Sequence, residues 1–256
     1  MVLALPQVAE HATNYINMFL DPVINFVFPA NCEICGSDLT SIKEKYVCFK
    51  CLSKIRLLFP PFCHRCGKGI SSSFKWVERP LCKECLKTKR YFCEARAVSR
   101  YEGIIKECIH LIKYKKRIAL YKPLMHLLID CIIKNWQVED FDFIIPVPLH
   151  KSRLRKRTFN QAELFSSSIG KYFGIPVSDS LKRYKDTPSQ VNLSEKERVQ
   201  NVKDAFLIRK KDHLFKDKVI MLIDDVYTTG ATVNECSKVL MEAGAKKVYV
   251  LTLAHG

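Results

Sequence analysis

No run of apolar residues in this sequence approaches the roughly 20 that a membrane-crossing helix needs. The longest, Ile16 to Phe28, is interrupted by Asp21-Pro22. No basic residue precedes it and no small-residue cleavage site follows, so it makes a poor secretory leader, and the cytoplasm is the expected location. Acidic side chains are also scarce. There are 26 Asp+Glu against 42 Lys+Arg, a formal net charge of +16. That excess points to an anionic partner (nucleic acid, a phosphorylated metabolite or an acidic membrane surface) or, more plainly, to a lysine-rich soluble surface. The GxxxxGK signature is absent, which excludes a P-loop, and no helix-turn-helix pattern is evident, which argues against a duplex-reading regulator. Apolar residues are not scarce. At 256 residues and 48% hydrophobic, the chain can bury the core of one large domain or two small ones.

Cysteine is plentiful and unevenly spread. Eight of the twelve form four CxxC pairs, Cys32/Cys35, Cys48/Cys51, Cys63/Cys66 and Cys82/Cys85. Each CxxC turn aims two sulfurs at one point, and a second turn completes a tetrahedral S4 shell. A reducing compartment disfavours structural disulfides, so zinc is the expected tenant, at two sites. Gly36 and Gly67 follow two of the pairs, as a tight knuckle requires. Short spacings favour sequential pairing, Cys32/Cys35/Cys48/Cys51 and Cys63/Cys66/Cys82/Cys85, over a cross-brace of first with third and second with fourth. His64, inside a CxxC, is expected to face solvent. Cys108, Cys131 and Cys236 lie in apolar helical patterns and read as small core residues; Cys93 has no evident partner. The ribbons hold up segments too small to build a core. They could also present cations such as Lys68, Lys83, Lys87, Lys89 and Arg90, with Phe49, Phe62, Phe74, Trp76, Tyr91 and Phe92, to single-stranded nucleic acid.

The second half carries a phosphate-binding pattern in Lys218–Thr232, KVIMLIDDVYTTGAT. Val219 to Ile223 is a continuous apolar run of the kind found in a buried parallel strand. Asp224 and Asp225 follow, then the short loop Val226, Tyr227, Thr228, Thr229 and Gly230. A helix is expected from Ala231 to Ala243, closed by Gly244. The carboxyl end of a parallel strand, followed by a helix N-terminus, is where α/β proteins bind ligands. Loop amides and the hydroxyls of Thr228, Thr229 and Thr232 can surround a phosphate there. Two adjacent carboxylates would repel that phosphate. They suit ribose hydroxyls, a hydrated magnesium ion or a developing positive charge. The segment therefore reads as a site for a phosphate with its sugar.

This stretch resembles the 5-phosphoribosyl-1-pyrophosphate (PRPP) motif of type I phosphoribosyltransferases. The resemblance implies that Asp224 and Asp225 contact the ribose and that Val226, Tyr227, Thr228, Thr229, Gly230, Ala231 and Thr232 hold the 5′-phosphate. With the cysteine pairs, PVPLH at Pro146–His150, FNQ at Phe159–Gln161 and TPSQ at Thr187–Gln190, the chain resembles the ComF family of bacterial competence proteins from about Phe28 onward. That family joins a double zinc ribbon to a phosphoribosyltransferase-like domain. By resemblance, Pro148–Arg157 is the pyrophosphate-side loop, with His150, Arg153 and Arg157 as contacts. Arg183–Asn201 is then a flexible lid, with Arg183, Lys185, Gln190 and Arg198 reaching the substrate. Five cations in the seven residues 151–157 suit a polyanion independently. The family commonly has glycine where Thr158 stands; a Thr tolerates positive φ poorly, so the local geometry is in question.

The resemblance further implies magnesium bound together with PRPP, and a role in handling transforming single-stranded DNA beside competence helicase and uptake proteins. Two function classes follow: a pentosyl transferase, or a binding module that keeps the phosphoribosyl pocket without turnover. A glutamine-using amidotransferase is disfavoured, because position 2 is Val2 and no glutaminase segment precedes the ribbons. The expected architecture is α/β: a parallel sheet of the type I phosphoribosyltransferase fold with helices on both faces, preceded by a small zinc-ribbon module. Expected boundaries are 1–30 for an N-terminal helical segment, 31–93 for the double ribbon and 94–256 for the sheet domain. Within the last, strands are expected near Val98–Tyr101, Phe143–Val147, Ile175–Val177, Ala205–Ile208 and Lys247–Leu253. Two helices are expected between Ile104 and Ile133, and another over Phe159–Phe173.

Overall fold

The computed structural model describes residues 30–41, 43–70, 78–188, 193–209 and 213–256. The expected N-terminal helices, Phe74, Trp76 and Gln190 lie outside them. The chain divides into two compact units, 1–54 and 55–256.

The first unit contains one ribbon. Cys32 N–H donates to the Ser37 carbonyl and Gly36 N–H to the Cys32 carbonyl, closing a tight knuckle. Gly36 takes φ 75°, a conformation that costs glycine nothing. Cys48 then opens a one-turn helix, α1 (Phe49–Leu52). The buried Glu44 carboxylate ties knuckle to helix by accepting the amides of Thr40, Ser41 and Phe49. These bonds, that of Phe49 first, hold its carboxyl below the usual range.

The second unit begins with the other ribbon, which repeats this wiring. Cys63 N–H donates to the Lys68 carbonyl and Gly67 N–H to the Cys63 carbonyl. Gly67 takes φ 72°, and Cys82 opens a short helix, α2 (Lys83–Lys87). The ribbon leads into β1 (Glu94–Arg100), α3 (Gly103–Lys115) and α4 (Tyr121–Asn135). Next come β2 (Phe143–Pro146), the short helix α5 (Lys151–Arg157) and α6 (Gln161–Phe173). The chain ends with β3 (Leu181–Arg183), α7 (Glu195–Val202), β4 (Phe206–Ile208), β5 (Val219–Tyr227), α8 (Ala231–Glu242) and β6 (Lys247–His255).

Strands β1, β6, β5 and β2 form, in that order, a four-stranded parallel sheet. Ile220 to Ile223 of β5 are fully buried, as strands covered on both faces must be. Alternate residues serve different layers. Ile145, Ile220, Leu222, Val248 and Val250 share one apolar cluster with Val233, Cys236 and Leu240 of α8. On the other face lie α4 and α6. There Gly170 of α6 lets the helix sit against Ile144, Ile175 and Val177; a Cβ at that position would collide with Val177 and the Ile175 carbonyl.

Several details differ from the sequence expectations. Cys63, Cys66, Cys82 and Cys85 are buried in the same cluster as the sheet, and the compact units part at 54/55. His64 does not simply face solvent: its Nε2 lies 3.2 Å from Glu94. The 206–208 strand pairs antiparallel with β3, outside the parallel sheet. Residues 175–177 form only a single bridge, Ile144 with Val177. Cys108 and Cys236 are fully buried, while Cys131 is only partly so.

Candidate phosphosugar site and metal centres

The cysteines meet in two sequential tetrads, Cys32/Cys35/Cys48/Cys51 and Cys63/Cys66/Cys82/Cys85, and within each all four sulfurs lie within 4.8 Å of one another. A tetrahedral zinc–thiolate shell with bonds of about 2.3 Å has sulfur–sulfur edges of about 3.8 Å. The Cys32–Cys51, Cys35–Cys48 and Cys66–Cys82 separations are 3.9, 3.7 and 3.6 Å. Backbone amides of Cys48 and Cys82 donate to the Cys32 and Cys63 sulfurs at 3.4 and 3.3 Å, second contacts typical of a thiolate shell. Both donor sets are consistent with zinc.

The sheet carries its site at the carboxyl ends of β5 and β2. Asp224 and Asp225, expected just past the strand, lie within it, because pairing with β6 continues from Asp224–Thr252 to Tyr227–His255. Both acids line a cavity of about 560 Å³. Its other walls come from Val147 to Leu149 after β2, Arg153 and Arg157 of α5, Asn160 to Ala162, Arg183, Arg198, and the Tyr101–Tyr114 stretch. Val226, Thr228 and Thr232 of the expected phosphate loop also line it.

Six lysines and arginines (Lys106, Lys113, Arg153, Arg157, Arg183 and Arg198) line the same cavity as the two carboxylates. Lys113 Nζ lies 2.6 Å from Asp225 Oδ2, both groups largely buried. Asp225 N–H donates to Asp224 Oδ1 at 2.8 Å. Burial, and then the charge of Asp225, push the Asp224 carboxyl up to about 7; Lys113 and Arg183 act in the opposite direction. Arg157 donates to Gln161 Oε1 at 3.2 Å and lies over the Tyr114 ring. Among the described residues, the buried Gln161 Nε2, Arg183 Nε and Arg198 Nε have no hydrogen-bond partner. Such donors usually find partners in a ligand or ordered water.

Local structure explains how these groups converge. The basic run 151–157, expected as a loop, is the helix α5, capped by His150, whose Nδ1 accepts from Ser152 N–H. Thr158 ends it at φ 71°, the left-handed conformation that the sequence placed in question. That reversal lets Asn160 cap α6: its Oδ1 accepts from Ala162 N–H, and its Nδ2 donates to the Val147 carbonyl. The expected flexible lid is partly regular. Arg183 ends β3, and Ser194 opens α7 through a reciprocal capping box with Glu197.

Not every expected contact reaches the cavity. His150 pairs with Ser152 and Asp186 instead, at 2.8 and 3.2 Å. Tyr227 is buried, stacked on His255 and edge-on to Phe92, and burial raises its phenol pKa. Thr229 Oγ1 accepts from Ala231 N–H, and its carbonyl takes Arg90. Lys185 Nζ donates to the Lys203 carbonyl. Conversely, Tyr101, Lys106, His110, Lys113 and Tyr114 line the cavity without having been singled out for it. Lys113 lies in the last turn of α3.

Fold and site together define an α/β parallel-sheet protein with paired acids at a strand end and two four-cysteine centres. A family model described as a double zinc ribbon domain matches residues 23–86. The chain is 31% identical over 237 residues to Competence protein F of Haemophilus influenzae, covering 91% of this chain and 100% of that one. It therefore belongs to the ComF family of competence proteins. It is also 27% identical to the DNA utilization protein YhgH of Escherichia coli K12, over 89% of this chain and 97% of that one. Competence protein ComFC of Bacillus subtilis is 24% identical, over 78% and 80%. Among solved structures, adenine phosphoribosyltransferase from Saccharomyces cerevisiae aligns at 15% identity and a TM-score of 0.31, over 52% of this chain and 69% of that one. The phosphoribosylpyrophosphate synthetase of Mycobacterium smegmatis aligns at 21% identity and a TM-score of 0.29, over 53% of this chain and 33% of that one. Likenesses this partial carry nothing about function.

Proposed function

We propose that the chain binds a 5-phosphoribosyl ligand of the PRPP type in this cavity and serves cytoplasmic handling of incoming DNA. One observation carries the reading: the Asp224–Asp225 pair, with Val226, Thr228 and Thr232 of the segment that follows, borders the same cavity as a set of lysines and arginines. A phosphosugar with an anionic group at each end and hydroxyls between them satisfies both halves. Its ribose hydroxyls donate to the carboxylates, its 5′-phosphate takes the loop and the start of α8, and its pyrophosphate takes Arg153, Arg157, Arg183 and Arg198. Magnesium would be held chiefly by the ligand's own phosphate and ribose oxygens, beside the two carboxylates, and would offset pyrophosphate charge. As a transferase, the site would favour positive charge at C1 through Asp224 and Asp225.

The binding-module reading has its own support. Lys113, Lys116, Arg153, Lys156 and Arg157 border a second cleft of about 530 Å³ that shares residues with the first, and Tyr114 there offers a stacking face. Relatives named for competence and DNA utilization point to the same polyanion.

Calorimetry of the protein with PRPP and magnesium tests the ligand. Binding is expected, weakened about tenfold or more by Asp225→Asn, the scale of a lost charge-assisted bond. No heat at millimolar ligand overturns the reading. Pyrophosphate release with a panel of nitrogen acceptors then separates the two classes. Release that one acceptor elicits marks a transferase. Salt-dependent oligonucleotide binding without release marks a module.

A further inference from the structure

The segment between the second tetrad and the sheet does more than connect them. Leaving α2, it runs past the start of α8, and Asn234 grips it twice. Asn234 Oδ1 accepts from Tyr91 N–H at 2.8 Å, and its Nδ2 donates to the Lys89 carbonyl at 3.3 Å. Asn234 N–H itself donates to the Gly230 carbonyl. Between these, Arg90 reaches across to donate to the Thr229 carbonyl at 3.2 Å. Phe92 sets the edge of its ring against Tyr227. Tyr227 lies directly under Gly230, where any Cβ would strike its hydroxyl end. The loop Val226–Gly230 is thus braced from the ribbon side by a carbonyl bond, an amide clasp and an aromatic contact.

The ribbon is fastened at its other end to β1. Ala95 N–H donates to the Arg65 carbonyl at 2.6 Å, and Arg96 donates to the His64 carbonyl at 2.9 Å. What holds the ribbon's own shape is the four-sulfur cluster. A helix of five residues such as α2 has no independent stability in water. The first tetrad belongs to the other compact unit.

We propose that the second tetrad, and not the first, sets the order of the 226–234 segment, with Arg90 and Asn234 as positioning residues for the loop. Metal at Cys63/Cys66/Cys82/Cys85 keeps residues 89–92 in place; Arg90 then holds the Thr229 carbonyl, while Tyr91 and Lys89 fix Asn234, whose own N–H holds the Gly230 carbonyl. The consequence for ligand affinity rests on the phosphosugar reading; the consequence for loop order does not.

Amide hydrogen exchange of the full chain, with bound zinc counted by native mass spectrometry, tests this directly. Arg90→Gln and Asn234→Ala are expected to keep about two zinc ions per chain. Each should speed exchange across 226–234 about tenfold, as loss of one well-placed bond implies, and weaken ribose 5-phosphate binding by a similar factor. Cys35→Ser, which removes the first centre, should leave that exchange unchanged. Chelator withdrawal of the remaining ion should then raise it. Unchanged exchange in both positioning variants, or after the second ion is lost, overturns the proposal. So does equal loosening by Cys35→Ser. Wild-type protein that ignores ribose 5-phosphate counts against the phosphosugar reading alone, because exchange still decides loop order.

Discussion

Replacing Thr158 with glycine should make the protein more stable, although it deletes a side chain. Thr158 ends α5 at φ 71°, where a β-branched residue crowds its own carbonyl. For an L-residue the left-handed conformation costs roughly 1–2 kcal/mol, and glycine avoids it. Against this, glycine frees the unfolded chain, which returns about 0.5–1 kcal/mol. The Thr158 hydroxyl donates to the neighbouring Arg157 carbonyl, but the side chain is exposed, so water replaces that bond at little cost. The balance is a gain of about 0.5–1 kcal/mol. In a unit of this size that raises the melting point by about 1–4 °C. Thr158→Val is the control: it keeps the branch and should gain nothing. Urea melts of the three proteins measure the difference. A Thr158→Gly protein destabilised by 0.5 kcal/mol or more would show that the reversal is held by something other than backbone geometry.

Gly230→Ala should be costly, by about 2 kcal/mol or more, since it adds strain at φ 74° to a collision with the buried Tyr227 ring; a melt within 0.5 kcal/mol of wild type would contradict the packing described. Asp224 makes the stability depend on pH. Its folded carboxyl is raised to about 7, so the native state holds the proton more tightly than the unfolded one, and stability falls as pH rises from about 4 to 7. Asp224→Asn removes that penalty and should stabilise the protein more at pH 8 than at pH 5. Equal effects at both pH values would argue against the shift.

The parts legible in the sequence were those written in local patterns. The CxxC spacings gave the tetrads and favoured their sequential pairing. The apolar run Val219–Ile223 gave the central strand, and Gly244 marked the end of the helix after it. What escaped was decided at long range. That β5 continues through the acids depends on pairing with β6, whose partner residues lie 28 positions further along. The resemblance implied a loop at 151–157, and five cations in one short helix leave no apolar stripe that would say otherwise. Lys113 became a partner of Asp225 only through the packing of α3 beside the sheet. Nothing in the spacing of Cys63 to Cys85 distinguished a ribbon absorbed into the sheet's core from the one in the first unit.

Asn160 joins two walls of the cavity with one amide. By capping α6 while binding the Val147 carbonyl, it locks the end of β2 to that helix, like the fixed jaw of a vice. Adjustment to differently sized guests therefore falls to the other walls, where Arg183 and Arg198 sit on a three-residue strand and an eight-residue helix.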